Sequence, residues 1–149
     1  MSQTVELTET TRSTRAVAEG WVAALIRHDL DTALDFLDPD VEFVNYTPIP
    51  GYNDDMLWIG TYHGPAEVLA SLEVFAGQCE VHDEKLIKLV VDGNDAMAVV
   101  HEISVARATG REFEVEFIQS LTVRDGKIVR WKSYTDPSSI IRALRGDVR

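Results

Sequence analysis

The chain has 149 residues, of which 45% are hydrophobic and 26% charged, and it carries a formal net charge of −11. These values predict a single globular domain over residues 1–149, with a polar tail over about residues 1–12. The acidic balance argues against binding to nucleic acid or to an anionic membrane surface, and the lack of a signal peptide or membrane span predicts a cytoplasmic location.

The first third of the chain predicts two helices and a strand. Apolar residues at helical spacing predict an amphipathic helix over residues 16–27, with Ser13 or Thr14 as its N-cap. A second short helix follows Asp31, and residues 41–46 alternate as in a half-buried strand.

Residues 47–64 predict a long loop. Two prolines and several glycines stand among tyrosine, tryptophan and aliphatic residues in this segment. Such a loop either covers a pocket as a lid or packs on the sheet edge and completes the core.

Pro65 opens a third helix that ends near Gly77, because its apolar residues repeat at helical spacing. A strand follows over residues 80–91, and the chain from Pro137 onward predicts a short terminal helix. Cys79 is the only cysteine, so no intrachain disulfide forms, and we expect it to be a small packed residue.

Residues 96–136 predict three consecutive antiparallel strands. Two glycine-containing turns, at residues 109–110 and 125–126, separate runs of β-branched and aromatic residues, which is a typical hairpin pattern. If the first turn has a two-residue loop, Glu102 pairs with Phe117.

Alternation divides these strands into two faces. The more apolar face carries Val100, Glu102, Ser104, Ala106, Phe113, Val115 and Phe117. The opposite face carries His101, Ile103, Val105, Arg107, Glu112, Glu114 and Glu116. Glu102 is a lone carboxylate on the apolar face, where burial raises a carboxyl pKa. It is therefore the leading candidate for a general acid or base, with a hydrogen-bonded structural carboxylate as the alternative.

Three local motifs accompany this order of elements: DPDVEF at residues 38–43, WIGTYHG at residues 58–64 and DGKIVRWKSYTD at residues 125–136. With them the chain resembles, from about residue 14 to residue 144, the SnoaL-like branch of the NTF2-like α+β cone fold. The resemblance implies a strongly curved mixed sheet with three helices on its concave face, enclosing a pocket. The family includes isomerases, polyketide cyclases, dehydratases, epoxide hydrolases and binding modules, so it implies a fold more narrowly than an activity.

The limonene-epoxide hydrolase pattern of that family matches this chain at one position. Asn45 stands where those hydrolases have the Asn that helps to place the water. Phe43, Glu102, Ser104 and Ser133 stand where they have a Tyr, an Arg and two Asp residues, so the hydrolase set is broken.

The predicted pocket has Glu102 as its proton-transfer group, with Asn45 and Ser104 to orient a water or a carbonyl oxygen. The residues expected to contact a ligand are mainly apolar or aromatic: Trp21, Phe43, Tyr46, Trp58, Tyr62, Val100, Val115, Phe117, Trp131 and Ser133. The alternative for each is an ordinary core role. The four histidines lack metal-ligand spacing, so we expect neither a metal nor a cofactor.

Two functions follow from this pocket. One is a cofactor-independent acid/base enzyme of the isomerase, cyclase or epoxide-opening type, acting on a small apolar molecule that bears oxygen. The other is a non-catalytic module for ligand binding or dimerisation. Ile103, Val105 and Ile118 on the opposite sheet face predict a homodimer in either case, because large apolar patches are uncommon on monomers.

The inward face of the last strand is the subject of a further prediction. A two-residue turn at residues 125–126 directs Lys132 inward, whereas the family resemblance directs Trp131 and Ser133 inward. Both hold if the strand over residues 113–123 contains a β-bulge near Gln119.

Overall fold

The computed structural model of the protein describes residues 2–146, with side chains from residue 9 onward. Four helices and six strands follow one another as α1 (Ser2–Ile26), α2 (Leu30–Asp35), β1 (Leu37–Asn45), β2 (Gly60–His63), α3 (Gly64–Gln78), β3 (Cys79–Asp92), β4 (Asp95–Ala106), β5 (Glu112–Arg124), β6 (Lys127–Tyr134) and α4 (Ser138–Arg145). Among these residues no helix is both long and apolar enough to span a membrane.

The six strands form one open, curved sheet in the order β2-β1-β6-β5-β4-β3. Strand β1 runs parallel to β6, and every other neighbouring pair is antiparallel. The predicted α+β fold with a curved mixed sheet is therefore confirmed.

Helix α1 is longer than predicted. It begins at Ser2, so the residues expected as a polar tail are helical, and Ser13 and Thr14 lie inside the helix instead of capping it. Thr14 is only 2% exposed, because it lies on the buried side of the helix. Gly20 lies against the Phe36 ring, which leaves no room for a side chain at this helical position.

All four helices, and not only three, cover the inner face of the sheet with two apolar clusters. One cluster joins α1 and α2 to the middle of the sheet and includes Trp21, Phe43 and Trp131. The other joins α4 to the far end of β4 and β5, where Ile140 and Ile141 pack near Phe113. The terminal helix predicted after Pro137 is thus part of the core.

The first hairpin has the predicted faces but a different register. Glu102 pairs with Val115 and not with Phe117, because residues 107–111 form a wider loop than two residues. In that loop the Gly110 amide donates to the Ala106 carbonyl at 2.8 Å. The register moves by two residues, so alternation keeps the paired side chains of the two strands on their predicted faces, and Glu102 and Ser104 are buried. Arg107 is the exception: it lies in the loop after β4 and lines the cavity instead of the outer face.

The β-bulge in the second hairpin lies on β6, not on β5 near Gln119 as predicted. Val123 pairs with Ile128 and Thr122 pairs with Arg130, which leaves Val129 as the extra residue. The ladder then stays regular through Gln119. The extra residue directs Trp131 and Ser133 inward, as the resemblance implied, and Lys132 outward.

The segment predicted as a loop over residues 47–64 ends in a short strand, β2, which pairs with β1. Before β2 the segment is held by hydrogen bonds: the Gln78 amide nitrogen donates to the Asp55 carbonyl at 2.9 Å, and Arg145 Nε donates to the Asp55 carboxylate at 2.7 Å. Met56 and Trp58 are 2% and 3% exposed. These contacts support the packing role of this segment.

Candidate functional site

A cavity of about 350 Å³ opens between the inner face of the sheet, α3 and the junction of α1 with α2. It is mainly apolar, and its size is at the small end of the range for small-molecule sites. Its walls are formed by Leu25, His28, Leu30, Phe43, Asn45, Tyr46, Trp58, Leu72, Phe75, Ala76, Cys79, Glu80, Val81, Glu84, Glu102, Arg107, Phe117, Gln119, Trp131 and Ser133.

Aromatic rings from β1 and β6 form part of the cavity wall, and a third ring supports them from behind. Phe43 pairs with Trp131 across the parallel β1–β6 ladder, and their rings stack with centroids 3.5 Å apart. Behind them Trp21 meets Trp131 edge-on at 4.8 Å. A flat apolar ligand would find a rigid surface here, because each ring is held by the next one.

Asn45 lies at the end of β1, where a hydrogen-bond network fixes its amide. Its Nδ2 donates to Ser71 Oγ at 3.0 Å and to the Trp58 carbonyl at 3.4 Å. The same carbonyl accepts from Ser71 and from the Tyr62 hydroxyl, each at 2.8 Å. Within the described part of the chain no group donates to Asn45 Oδ1, which makes this oxygen the atom that can accept a hydrogen bond from a ligand.

Gln119, which the sequence did not indicate as a site residue, is fixed in the same way. Trp21 Nε1 lies 2.7 Å from Gln119 Oε1. An indole nitrogen only donates, so the oxygen of the amide must face Trp21, and the amide nitrogen is left to serve the cavity as a donor. Gln119 is only 4% exposed, and the partner that fixes it stands 98 residues earlier in the chain.

Glu102 is 6% exposed and forms part of the cavity wall. Ser104 Oγ donates to its Oε2 at 2.8 Å. Burial raises the pKa of Glu102, while the Ser104 hydrogen bond opposes this change. Ser104 itself is fully buried and outside the cavity lining, so the structure places it behind Glu102 as a positioning group.

A second carboxyl, Glu84 on β3, lies directly opposite Glu102 across the β3–β4 ladder and also lines the cavity. Burial and the charges of Glu102 and Asp83 raise the pKa of Glu84 to about 8. Sequence analysis did not identify Glu84, because a β-bulge at His82 changes which residues of β3 face inward.

Tyr46 and Cys79 also belong to this titratable group. Burial and the nearby charge of Glu102 raise the pKa of both, that of Cys79 to about 12. Cys79 is therefore a neutral packed thiol. Tyr46 has a neutral hydroxyl at the cavity wall, whereas Tyr62 is occupied by the Trp58 carbonyl.

The structure brings eight of the thirteen predicted site residues into the cavity wall: Phe43, Asn45, Tyr46, Trp58, Glu102, Phe117, Trp131 and Ser133. Five others lie behind it: Trp21, Tyr62, Val100, Ser104 and Val115. They are core residues or hydrogen-bond partners of the wall, as the bonds of Trp21 and Ser104 show. Trp131 Nε1 donates to Ser133 Oγ at 3.0 Å, so Ser133 is also fixed.

Polar groups surround the mouth of the cavity. Arg107 Nε donates to the Ala76 carbonyl at 2.8 Å, and its guanidinium pairs with Glu80 at 3.4 Å. Among the side chains that the structure describes, from residue 9 to residue 146, no three His, Cys, Asp or Glu form a group that could hold a metal ion.

Comparison with known proteins gives a family match over most of the chain. The model of the SnoaL-like domain matches residues 18–131. No curated protein matches the chain significantly.

Several crystal structures have the same fold at low sequence identity. An NTF2-like protein from Burkholderia xenovorans LB400 is 23% identical, with a TM-score of 0.72 over 90% of this chain and 97% of that one. A candidate isomerase from Rhodopseudomonas palustris is 16% identical, with a TM-score of 0.70 over 90% and 96% of the two chains. A candidate SnoaL-like polyketide cyclase from Mesorhizobium loti is 18% identical, with a TM-score of 0.66 over 80% and 97%.

Proposed function

Because the chain belongs to the SnoaL-like domain family of the NTF2-like superfamily, we propose that it is a cofactor-independent acid/base enzyme. Its substrate is a small, mostly apolar molecule that bears oxygen, such as a polyketide, terpenoid or steroid-like intermediate. The reaction is an isomerisation, a cyclisation or an epoxide opening, in which positioning and proton transfer suffice.

The observation that carries this proposal is the burial of Glu102 in the wall of an aromatic cavity. Burying a carboxylate in such a place destabilises the fold, because its charge loses hydration that a single serine hydroxyl does not replace. We therefore expect Glu102 to have a function in the cavity. Its raised pKa also brings it nearer to the range where a carboxyl exchanges protons efficiently at neutral pH.

The fixed amides supply positions for the substrate oxygen. Gln119 offers a donor and Asn45 an acceptor, each held by a hydrogen bond on its other side. The neutral Tyr46 hydroxyl is a second donor in the cavity wall. A carbonyl or epoxide oxygen that gains negative charge in the transition state would be stabilised by such donors.

The test is a screen of small ketones, enones and epoxides, followed by Glu102→Gln. This nearly isosteric change removes the proton-transfer group, so we expect binding to persist and turnover to fall by about 100-fold or more. Glu114→Gln is the matched control, since Glu114 is 63% exposed and lies on the opposite face. Turnover that is unaffected by Glu102→Gln would remove Glu102 from the mechanism.

The alternative is a binding module that uses the same cavity. Its support is Ser133, which stands where related hydrolases have a last-strand acid and which accepts from Trp131 instead. A ligand from the screen that is bound tightly and recovered unchanged would favour this alternative.

We also propose that the protein forms a homodimer through the outer face of the sheet. Ile118 pairs with Tyr134 on one side and with Val99 on the other. Met97 lies two residues before Val99 on the same face of β4. Ile118, Tyr134 and Met97 are 38%, 47% and 43% exposed in the single chain. A second copy packed on this patch would remove that apolar surface from water. The cytoplasmic location stays a prediction.

A further inference from the structure

We propose that Glu84 is a second catalytic carboxyl and that it shares one proton with Glu102, so that the cavity presents one carboxylic acid and one carboxylate at the same time. This inference rests on the proposed function and assigns the acid and the base within it. Glu84 is the acid and Glu102 is the base.

The register of β3 places the two residues together. Val81 pairs with Ser104, and the regular ladder would bring Asp83 opposite Glu102 on the inner face. His82 is an extra residue, so Glu84 takes that place. Ile87 is a second extra residue, and beyond it the odd-numbered residues of β3 face inward again, as they do before His82. Between the two bulges only a short segment, residues 83–86, has its facing reversed, and this segment directs Glu84 at the cavity. Bulges commonly redirect side chains beside functional sites in this way.

Opposite residues on antiparallel strands have their Cβ atoms about 5 Å apart, so two inward glutamates meet over the same part of the cavity. Two carboxylates at such a distance repel each other, and the pair lowers its energy by keeping one proton. Arg107 is the only lysine or arginine among the residues that line the cavity, and its guanidinium is bound to Glu80 and the Ala76 carbonyl. It does not neutralise the pair directly.

Hydrogen bonding decides which member carries the proton. Ser104 donates to Glu102 Oε2, and a donor favours the ionised form of a carboxyl. Among the described side chains, residues 9–146, no group donates a hydrogen bond to Glu84, and only burial and neighbouring charges act on it. The proton therefore resides on Glu84. The titratable and charged side chains that share the cavity wall with the pair are Tyr46, Cys79, Glu80, His28 and Arg107. Asp83 lies opposite Ile103 and faces outward, but its charge also acts on Glu84.

The chemistry balances without any other reactant. Glu102 takes a proton from a substrate carbon or from an attacking water, and Glu84 gives its proton to a substrate oxygen or to the carbon that receives it. The pair begins and ends with one proton, which is on Glu84 before the reaction and, taken from the substrate or the water, on Glu102 after it. Transfer back between the two carboxyls restores the starting state.

The experiment is a carboxyl titration by NMR on the full chain labelled with δ-¹³C glutamate, for wild type, Glu84→Gln, Glu102→Gln and the control Glu114→Gln. We expect each carboxyl of the wild-type pair to show two titration steps. Glu102→Gln should lower the midpoint of Glu84 by about 1 pH unit or more, because it removes the negative charge opposite Glu84. Glu84→Gln should move the main midpoint of Glu102 little, because Glu84 is still protonated while Glu102 ionises, and Glu114→Gln should leave both midpoints unchanged.

A Glu84 midpoint that does not move in Glu102→Gln would overturn the shared proton. The wild-type titration alone also tests it if a variant fails to fold, since single-step curves for both carboxyls contradict the pair. Turnover then separates this inference from the proposed function. If the two carboxyls titrate as a coupled pair but no substrate is converted, the shared proton is supported and the proposed enzyme activity is not. If the two carboxyls titrate independently but turnover is lost in Glu102→Gln, Glu102 acts in the reaction without Glu84.

Discussion

Trp21 Nε1 donates to Gln119 Oε1 over 2.7 Å and thereby joins the buried side of α1 to the middle of β5. The bond fixes an indole that is fully buried and an amide that faces the cavity. One hydrogen bond therefore serves both the core and the site.

Replacing Gln119 by Leu should lower the free energy of unfolding by about 1–3 kcal/mol, because the Trp21 donor would remain buried without an acceptor. Urea denaturation measures this change. Equal stability of the Leu variant and wild type would contradict the importance of this bond.

The raised pKa of Glu84 predicts how stability depends on pH. An unfolded glutamate titrates near 4.5, whereas the folded one titrates at about 8. Between these values the folded chain binds more protons than the unfolded chain, so stability falls as pH rises from about 4.5 to 8. Glu84→Gln should remove this part of the slope, which is about 1.4 kcal/mol per pH unit inside the window. Urea midpoints at several pH values provide the measurement, and identical slopes for the two chains would refute the prediction.

Gly20 and Gly77 should respond to alanine in opposite ways. A methyl group at Gly20 overlaps the Phe36 ring, so Gly20→Ala should destabilise the fold by about 1–3 kcal/mol through overpacking. At Gly77, in α3, a methyl group meets nothing within 4 Å, and Gly77→Ala should stabilise the fold by about 0.5–1 kcal/mol through helix propensity. Thermal unfolding compares the two variants. A stabilising Gly20→Ala would show that α1 and Phe36 can separate at little cost.

Ile118→Lys should shift the proposed dimer towards monomer, because it places a charge in the outer apolar patch. Sedimentation velocity at micromolar concentration distinguishes the two states. Leu57→Lys is the control, since Leu57 is 66% exposed but lies in the segment before β2. A wild-type chain that sediments as a monomer would refute the dimer.

Alternation in the sequence predicted the inner and outer faces of β4 and β5 correctly, because a two-residue period survives even a register shift of two. The exact pairing required the length of the turn after Ala106, where the Gly110 amide closes a wider loop. Thr109 and Gly110 are residue types that favour a tight turn. They do not show that the two strands stop pairing before they reach this turn.

The missing half of the site has a physical explanation. Glu84 faces inward only because of the extra residue His82, and a bulge leaves no distinct pattern of residue types in β3. No prediction included Gln119 in the site, because its partner Trp21 comes from the other end of the chain. Glu102, in contrast, stands out in sequence because its own strand alternates without interruption.

The three tryptophans of the chain are all at most 3% exposed, and Trp58 and Trp131 line the cavity. A ligand that enters would change the polarity around these two indoles, and Trp21 would sense it through its edge contact with Trp131. Intrinsic fluorescence should therefore report occupancy of the cavity without any label. Compounds can be sorted by affinity in this way before their chemical fate is known.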